Sequence, residues 1–256
     1  VKAAAELEVD TGQRMRWRAE PPVVLRRTGP TRVHLVQAAG GPLGGDELAL
    51  HLRLAPGTEL TVATAAASVV QPGRPGSGPA RWSVTVELGE GARLRWWPEP
   101  TVVCDRAELH ASLRLRVAEG AAALVREEVQ LGRHGQRGGC YGGELAADYA
   151  GQPLVRHTTV LDGADPALTG PGGTASQRLL ATVLGAGAQP VPPLDEPVGE
   201  IAGLRWARHE LAGPGWLLVA LAEERAALSS LVNTAAGVGH QNETGPELAG
   251  HTRKMC

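Results

Sequence analysis

Leu48-Ala49-Leu50-His51-Leu52-Arg53-Leu54 alternates apolar and polar residues without a break. A period of two puts the four leucines on one face and Ala49, His51 and Arg53 on the other, which is the pattern of a half-buried strand. Pro56-Gly57 turns the chain, and Leu60 and Val62 resume the alternation. The phrase returns as Trp82, Val84, Val86 and Leu88, a Gly-Glu-Gly turn at 89–91, then Leu94 and Trp96. A third copy runs through Leu109, Ala111, Leu113, Leu115 and Val117, turns at Glu119-Gly120, and continues through Val125, Val129 and Leu131. A weaker fourth spans Glu144 to Tyr149, turns at Gly151-Gln152 and ends from Leu154 to Leu161. Strand, tight turn and strand at a spacing of roughly 30 residues predict a mainly β fold of stacked antiparallel hairpins, a β-helix-like or sandwich body. An α/β chain is excluded.

Residues 1–187 are expected to form this β-stack body. Ala188 to Pro197 (AQPVPPLDEP) holds too many prolines for regular structure and reads as a connector. Residues 188–236 then complete the same domain with a strand at Trp216 to Ala222 and a helix from Leu221 to Val232, Leu221, Leu228, Leu231 and Val232 sharing its apolar face. One or two helices near the C-terminus are therefore expected. Residues 237–256 are polar and punctuated by Gly and Pro, a flexible tail by expectation. Gln71 to Pro79 (QPGRPGSGP) is a second flexible candidate.

The 256 residues carry 25 basic and 27 acidic side chains for a net charge of −2, which leaves no electrostatic footprint for nucleic acid in the totals. With 43% hydrophobic residues the chain is not disordered throughout. There is no Phe and a single Ile (Ile201), so the core must be Leu, Val and Ala. No apolar run approaches the roughly 20 residues that span a bilayer, and no export signal opens the chain, so the expected location is cytoplasmic with no membrane partner. Cys104, Cys140 and Cys256 are too few and too scattered for a disulfide framework.

No nucleophile elbow, zincin pair, CxxC or phosphate loop is spelled out, and Gly170 to Ser176 (GPGGTAS) reads as a plain turn. No catalytic residue, closed metal centre or tightly bound cofactor is therefore expected. His251, Met255 and Cys256 offer at most a weak contact for a soft cation in the tail. The sharper signals are acids in unusual places. Along Ala123, Val125, Glu127, Val129 and Leu131 the register puts Glu127 on the apolar face, with Arg126, Glu128 and Gln130 on the face expected to meet solvent. A core-facing carboxylate costs several kcal/mol unless it is paired, protonated or wet. A bulge or an ion pair with arginine would explain it structurally; a carboxylate lining a water-filled passage or a partner contact is the functional reading. Gly40-Gly41-Pro42-Leu43-Gly44-Gly45-Asp46 forms a loop of unusual backbone freedom, which Asp46 would cap. Trp96-Trp97-Pro98-Glu99-Pro100 reads as an edge or a bulge, because neither proline donates to a ladder.

In this order, these segments resemble the urease accessory protein UreD/UreH family. Its Gly-Gly-x-x-Gly-Gly-Asp loop is matched by Gln37 to Asp46, and its strand, Ala-Pro-Gly turn and Thr-rich strand by Leu48 to Ser68. Its Pro-Gln-Glu-Thr segment is matched loosely by Trp97 to Ala107, and its Leu-Gly-Arg strand by Arg126 to Arg133. The family's Pro-Pro is Ala38-Ala39 here, its Phe-Asp-Gly is Cys104-Asp105-Arg106, and its Trp before Glu is Arg126. The resemblance implies a non-enzymatic scaffold that binds a UreF-like accessory protein, recruits a UreG-like GTPase and docks both on the urease apoenzyme. It further implies that Ni2+ travels transiently through a water-filled tunnel. Asp46, Asp105 and Glu127 are the passage or partner-contact candidates it implies, with Glu99 and Arg133 behind them and Gly40, Gly41, Gly44 and Gly45 as the motif loop. Two rival readings stand beside it: a carbohydrate-active enzyme using Glu99, Asp105 and Glu127, and an interaction module without a tunnel.

Overall fold

In the computed structural model, which describes residues 1–187, 194, 196–201 and 203–237, the two arms of each repeated phrase lie in different sheets. The chain order is β1 (Lys2–Val9), β2 (Met15–Ala19), β3 (Val23–Arg27), β4 (Arg32–Gln37), β5 (Glu47–Leu54), β6 (Glu59–Thr64), β7 (Ser68–Val70), β8 (Ala80–Leu88) and β9 (Arg93–Trp97). There follow β10 (Thr101–Val103), β11 (Glu108–Val117), β12 (Ala122–Leu131), β13 (Cys140–Tyr149) and β14 (Gln152–Asp162), then a 3₁₀ turn at Pro166–Thr169. β15 (Leu179–Gly187), β16 (Val198–Ile201), β17 (Leu204–Glu210), β18 (Gly215–Ala222) and α1 (Arg225–Ala235) complete it. The first sheet has seven strands in the order β14-β13-β11-β8-β5-β1-β2. The second has eleven, ordered β16-β17-β18-β15-β12-β9-β6-β4-β3, with β7 and β10 beside the path.

The fold is mainly β and solenoid-like with one α-helix, as the periodicity leads one to expect. The strand pairing corrects the expected hairpins. β1, β5, β8, β11 and β13 stack in parallel, and so do β4, β6, β9 and β12. Antiparallel pairs are found at the ends of the stack, where β2 and β14 fold back on the first sheet and β3 and β15–β18 flank the second. Alternation cannot separate the two arrangements, because a hairpin and a solenoid corner both send every second residue of each arm to one core. Here the corner carries the chain across to the facing sheet. Gly57, Gly91 and Gly120 hold φ of 70°, 67° and 71° at successive corners, a left-handed conformation cheap for glycine. The corners hydrogen-bond up the stack: the Ala55 amide donates to Val9, that of Gly89 to Leu54, and that of Ala118 to Leu88.

Leucine, valine and alanine fill the space between the sheets in two apolar clusters, one around Leu50, Leu52, Val86 and Val125, the other around Val103, Leu109, Val129 and Leu131. A third lies on the far side of the second sheet, where α1 presses Leu228, Leu231 and Val232 onto Leu124, Val183, Trp216 and Leu218. The helix starts later than expected: Leu221 belongs to β18, and Glu224 stands at the helix N-cap. Trp96 and Trp97 lie in β9, an interior strand between β6 and β12 rather than an edge, and the prolines occupy the break before β10. The Gln71 to Pro79 loop has defined structure, its Gln71 and Pro79 carbonyls accepting from the Gly44 and Gly45 amides. Gly170 to Ser176 continues the 3₁₀ turn as irregular turns. Most of the proline-rich connector and residues 238–256, with His251, Met255 and Cys256, lie outside the described residues. Among those described, no helix is long and apolar enough to cross a membrane.

Candidate functional site

β12 is where the interior changes character. Its core-facing residues run from Val125 in the first cluster to Val129 in the other, and Glu127 stands between them. No bulge is present, since β12 pairs with β15 in continuous register through Glu127 opposite Thr182. The facing level of the first sheet is Leu48, Trp82, Ala111, Gly143 and Thr159, each in register with the next. Two of these are small, and a Cβ built on Gly143 would fall 2.3 Å from the Tyr141 hydroxyl oxygen. The room that Gly143 leaves is taken by the Tyr141 phenol, and Ala111 adds little bulk to the layer opposite Glu127.

Two voids remain. One of about 50 Å³ is walled by Thr64, Ser68, Trp96, Glu99, Glu127 and Glu128, among others. The other, about 10 Å³, is walled by Glu127, His157, Thr159 and Thr182. Glu127, Val129 and Tyr141 line both. By volume the larger has room for water, and the smaller is about the size of one water-sized probe. Glu127 is only partly shielded from solvent-sized space, and no cationic side chain among the described residues pairs with it. Burial lifts its carboxyl to about 7. The Tyr141 phenol is pushed up by burial and by the Glu127 charge. On the far side, burial and then the His209 charge hold the His157 imidazole below its ordinary value, so it is neutral and able to accept a cation near pH 7.

The opposite face of β12 is the second correction. Arg126 and Glu128, expected in solvent, are 6% and 5% exposed. Their ends approach to 3.3 Å, although Glu128 Oε1 gains no hydrogen bond of good geometry. Arg126 donates to the Pro98 carbonyl and stacks 4.6 Å from the Trp97 ring, with Arg95 4.3 Å from the same ring. Burial holds the Arg126 guanidinium below its ordinary value and lifts the Glu128 carboxyl. Glu99, at the larger void, receives 2.6 Å contact from Arg225 on the first turn of α1, and its amide donates to Thr64 Oγ1.

Of the residues singled out in the sequence, the fold thus brings Glu99 and Glu127 to one cavity and sends the others elsewhere. Asp46 Oδ2 accepts from the Leu43 amide at 2.9 Å and Oδ1 from the Val1 amino group, so it fastens the glycine loop. Gly41, at φ 108°, lies where a Cβ would meet the Val69 carbonyl at 2.0 Å; Gly44 is nearly as close to Gly73, Gly45 packs on Ser77, and Gly40 is open. That close packing positions Pro42 and Gln37 at the larger void. Asp105 accepts from the Gly138 amide at 2.7 Å, tying two loops together. Arg133 is exposed on the second of these, its carbonyl held by Arg178. The residues that sequence reasoning missed are Ala111, Tyr141, Gly143, His157 and Thr182. A glycine pair inside a strand, Gly142-Gly143, was the available signal for a close approach or a gap. Among the described residues no three His, Cys, Asp or Glu side chains cluster closely enough to hold a metal.

Comparison with known proteins places this geometry in a family. The model of the UreD urease accessory protein family matches residues 3–250. A urease accessory protein UreD of Parafrankia sp. (strain EAN1pec) is 36% identical over 93% of this chain and 88% of its own length. One from Frankia alni is 34% identical, covering 89% and 90% respectively. Urease accessory protein UreD 1 of Saccharopolyspora erythraea is 33% identical over 93% and 91%.

Proposed function

This chain belongs to the UreD urease accessory protein family, and we propose that it is a non-enzymatic cytoplasmic scaffold that passes Ni2+ to the urease apoenzyme through the voids at Glu127. In this reading the solenoid also docks a UreF-like protein and a UreG-like GTPase on urease. Nickel is cargo rather than cofactor. The ion enters beside Glu99, meets Glu127 at the partition, and leaves past Thr159, Thr182 and the neutral His157. Movement of Glu127 and Tyr141 opens the step between the two voids, since the smaller one admits little more than a single water.

The observation that carries the reading is Glu127, an acid without a cationic partner among the described residues, set between two apolar clusters and lining two small voids. A purely structural carboxylate at that position would be expected to have a guanidinium against it. A conduit needs the opposite: isolated oxygen ligands bind a borderline cation weakly enough to release it. The test is co-expression of the apoenzyme and its accessory proteins with unaltered chain, Glu127→Gln or Glu127→Ala. Metal analysis of purified urease should show at least a tenfold loss of nickel with both variants, while the accessory proteins still co-purify. Full nickel loading with Glu127→Ala would overturn the passage.

A further inference from the structure

The outward face of the second sheet carries more arginine than acid: four arginines against Glu59 at one end of β6. β3, β4, β6 and β9 lie side by side there, and their inward residues Leu25, Val33, Leu60, Val62 and Leu94 are buried. Outward, Arg32 of β4 and Arg95 of β9 flank the same residue, Thr61 of β6. One level along, His34 and Trp97 flank Ala63, and Arg26 is the partner of His34. One level the other way, Arg93 is the partner of Glu59. Strand spacing puts Arg32 and Arg95 roughly 10 Å apart across the floor, and Arg93 lies about 7 Å from Arg95 along its strand. The result is a shallow trough along β6, floored by Thr61 and Ala63 and banked by arginine on both sides.

Arg26, Arg32 and Arg93 are exposed, and their side chains have no ion pair or hydrogen bond among the described residues. Arg95 only stacks on Trp97. Burial first, then the Arg126 and Arg32 charges, hold the Arg95 guanidinium below its ordinary value. On the outer face of the first sheet, by contrast, Glu8, Arg53, Glu87 and Arg116 pair in an alternating chain. Arg32, Arg93 and Arg95, each within roughly one Debye length of the next, with Arg26 at the margin, outnumber Glu59 and form a local positive field on a chain whose net charge is −2.

We infer that this trough is a docking surface for an acidic segment of a protein partner. The guanidinium fork matches a carboxylate in two parallel hydrogen bonds, so arginine rather than lysine suits such a contact. The six residues of β6 give a run of about 20 Å, enough for an extended stretch of similar length. Nucleic acid fits less well. Four arginines neutralise few phosphates, and the acidic remainder of the chain repels a long polyanion. The inference is independent of the nickel passage, which opens between the sheets and not on this face.

The experiment uses the full chain and a fluorescein-labelled octaglutamate peptide, read by fluorescence anisotropy at low and at 0.3 M salt. Binding at low salt, at least tenfold weaker in Arg32→Ala/Arg93→Ala and in Arg32→Ala/Arg95→Ala, is the expected result. The first pair is wholly exposed, so circular dichroism should show an unchanged fold. An unchanged affinity in both double variants overturns the inference. So does tighter binding of a 20-base-pair DNA duplex, or full displacement of the peptide by millimolar inorganic phosphate, which would make the trough a simple anion site. Because no nickel is present in the assay, its failure leaves the role of Glu127 to its own test.

Discussion

Glu127→Gln should stabilise the protein, and by an amount that depends on pH. The carboxyl titrates near 4.5 in the unfolded chain and near 7 in the fold. Between those values the folded state holds a proton that the unfolded state has lost, so stability falls as pH rises through the interval and levels off above it. Linkage sets the penalty at about 0.8 kcal/mol at pH 5 and about 3 kcal/mol at pH 8. Glutamine keeps the shape and removes the ionisation. The gap between the variant and the parent should therefore widen by about 2.5 kcal/mol from pH 5 to pH 8, whatever constant difference the amide introduces. For a chain of this size that is roughly 5–10 °C in Tm. Thermal unfolding followed by tryptophan fluorescence at both pH values reads it directly, with every other titrating group common to the two proteins. A gap that stays flat with pH would mean that Glu127 ionises as easily inside the fold as outside it, and the description of a desolvated, unpaired acid would be wrong.

Three other outcomes follow from the same region. Gly143→Val should fill the layer facing Glu127, cost about 1–3 kcal/mol through displacement of the Tyr141 phenol, and cut nickel delivery in the co-expression assay with partner binding retained. Arg126→Met alone should lose about 3–5 kcal/mol in urea unfolding, because Glu128 is left charged and alone; adding Glu128→Leu should recover most of it. Arg225→Ala should change stability by less than about 1 kcal/mol, since its pair with Glu99 is 56% and 41% exposed, and a larger loss would show that the contact fastens α1.

How much of this was readable beforehand differs from residue to residue for physical reasons. The apolar facing of Glu127 followed from alternation alone, because β12 runs without a bulge and period two is insensitive to how strands pair. The same insensitivity made solenoid corners look like hairpins. Arg126 and Glu128 were assigned to solvent because alternation reports that a strand has two faces, not whether the second is covered. The cover comes from α1, whose apolar residues join Leu124 from about 100 positions along the chain. Glu99 and Arg225 meet across 126 positions, a contact that no local pattern encodes. Asp46 closes a glycine-rich loop and accepts the Leu43 amide within it, a common use of aspartate in a turn, whereas Asp105, a position the resemblance implies, accepts the Gly138 amide of a separate loop. Small residues were the quietest signal: Gly143 matters for the room it gives the Tyr141 phenol beside Glu127.

The energetics of the layer bear on how a cation would be handed over. At pH 7 a carboxyl titrating near that value is protonated in about half of the molecules, so under the proposed passage an arriving Ni2+ would displace a proton as often as it would find an anion. That competition would weaken binding, and the proton returning to Glu127 would assist release. A second acid beside it would raise affinity and slow departure; an arginine beside it would fix the charge and repel the ion. Glu99 and Glu128 border the larger void with Glu127 but make no cluster of three ligating groups, and no arginine pairs with Glu127 among the described residues. The cost of holding such a group falls on the apolar clusters to either side, where Leu50, Leu52, Val86, Val103, Leu109 and Leu131 are packed without polar interruption. The buried acid thus sits at one level of the stack, between levels that are apolar throughout.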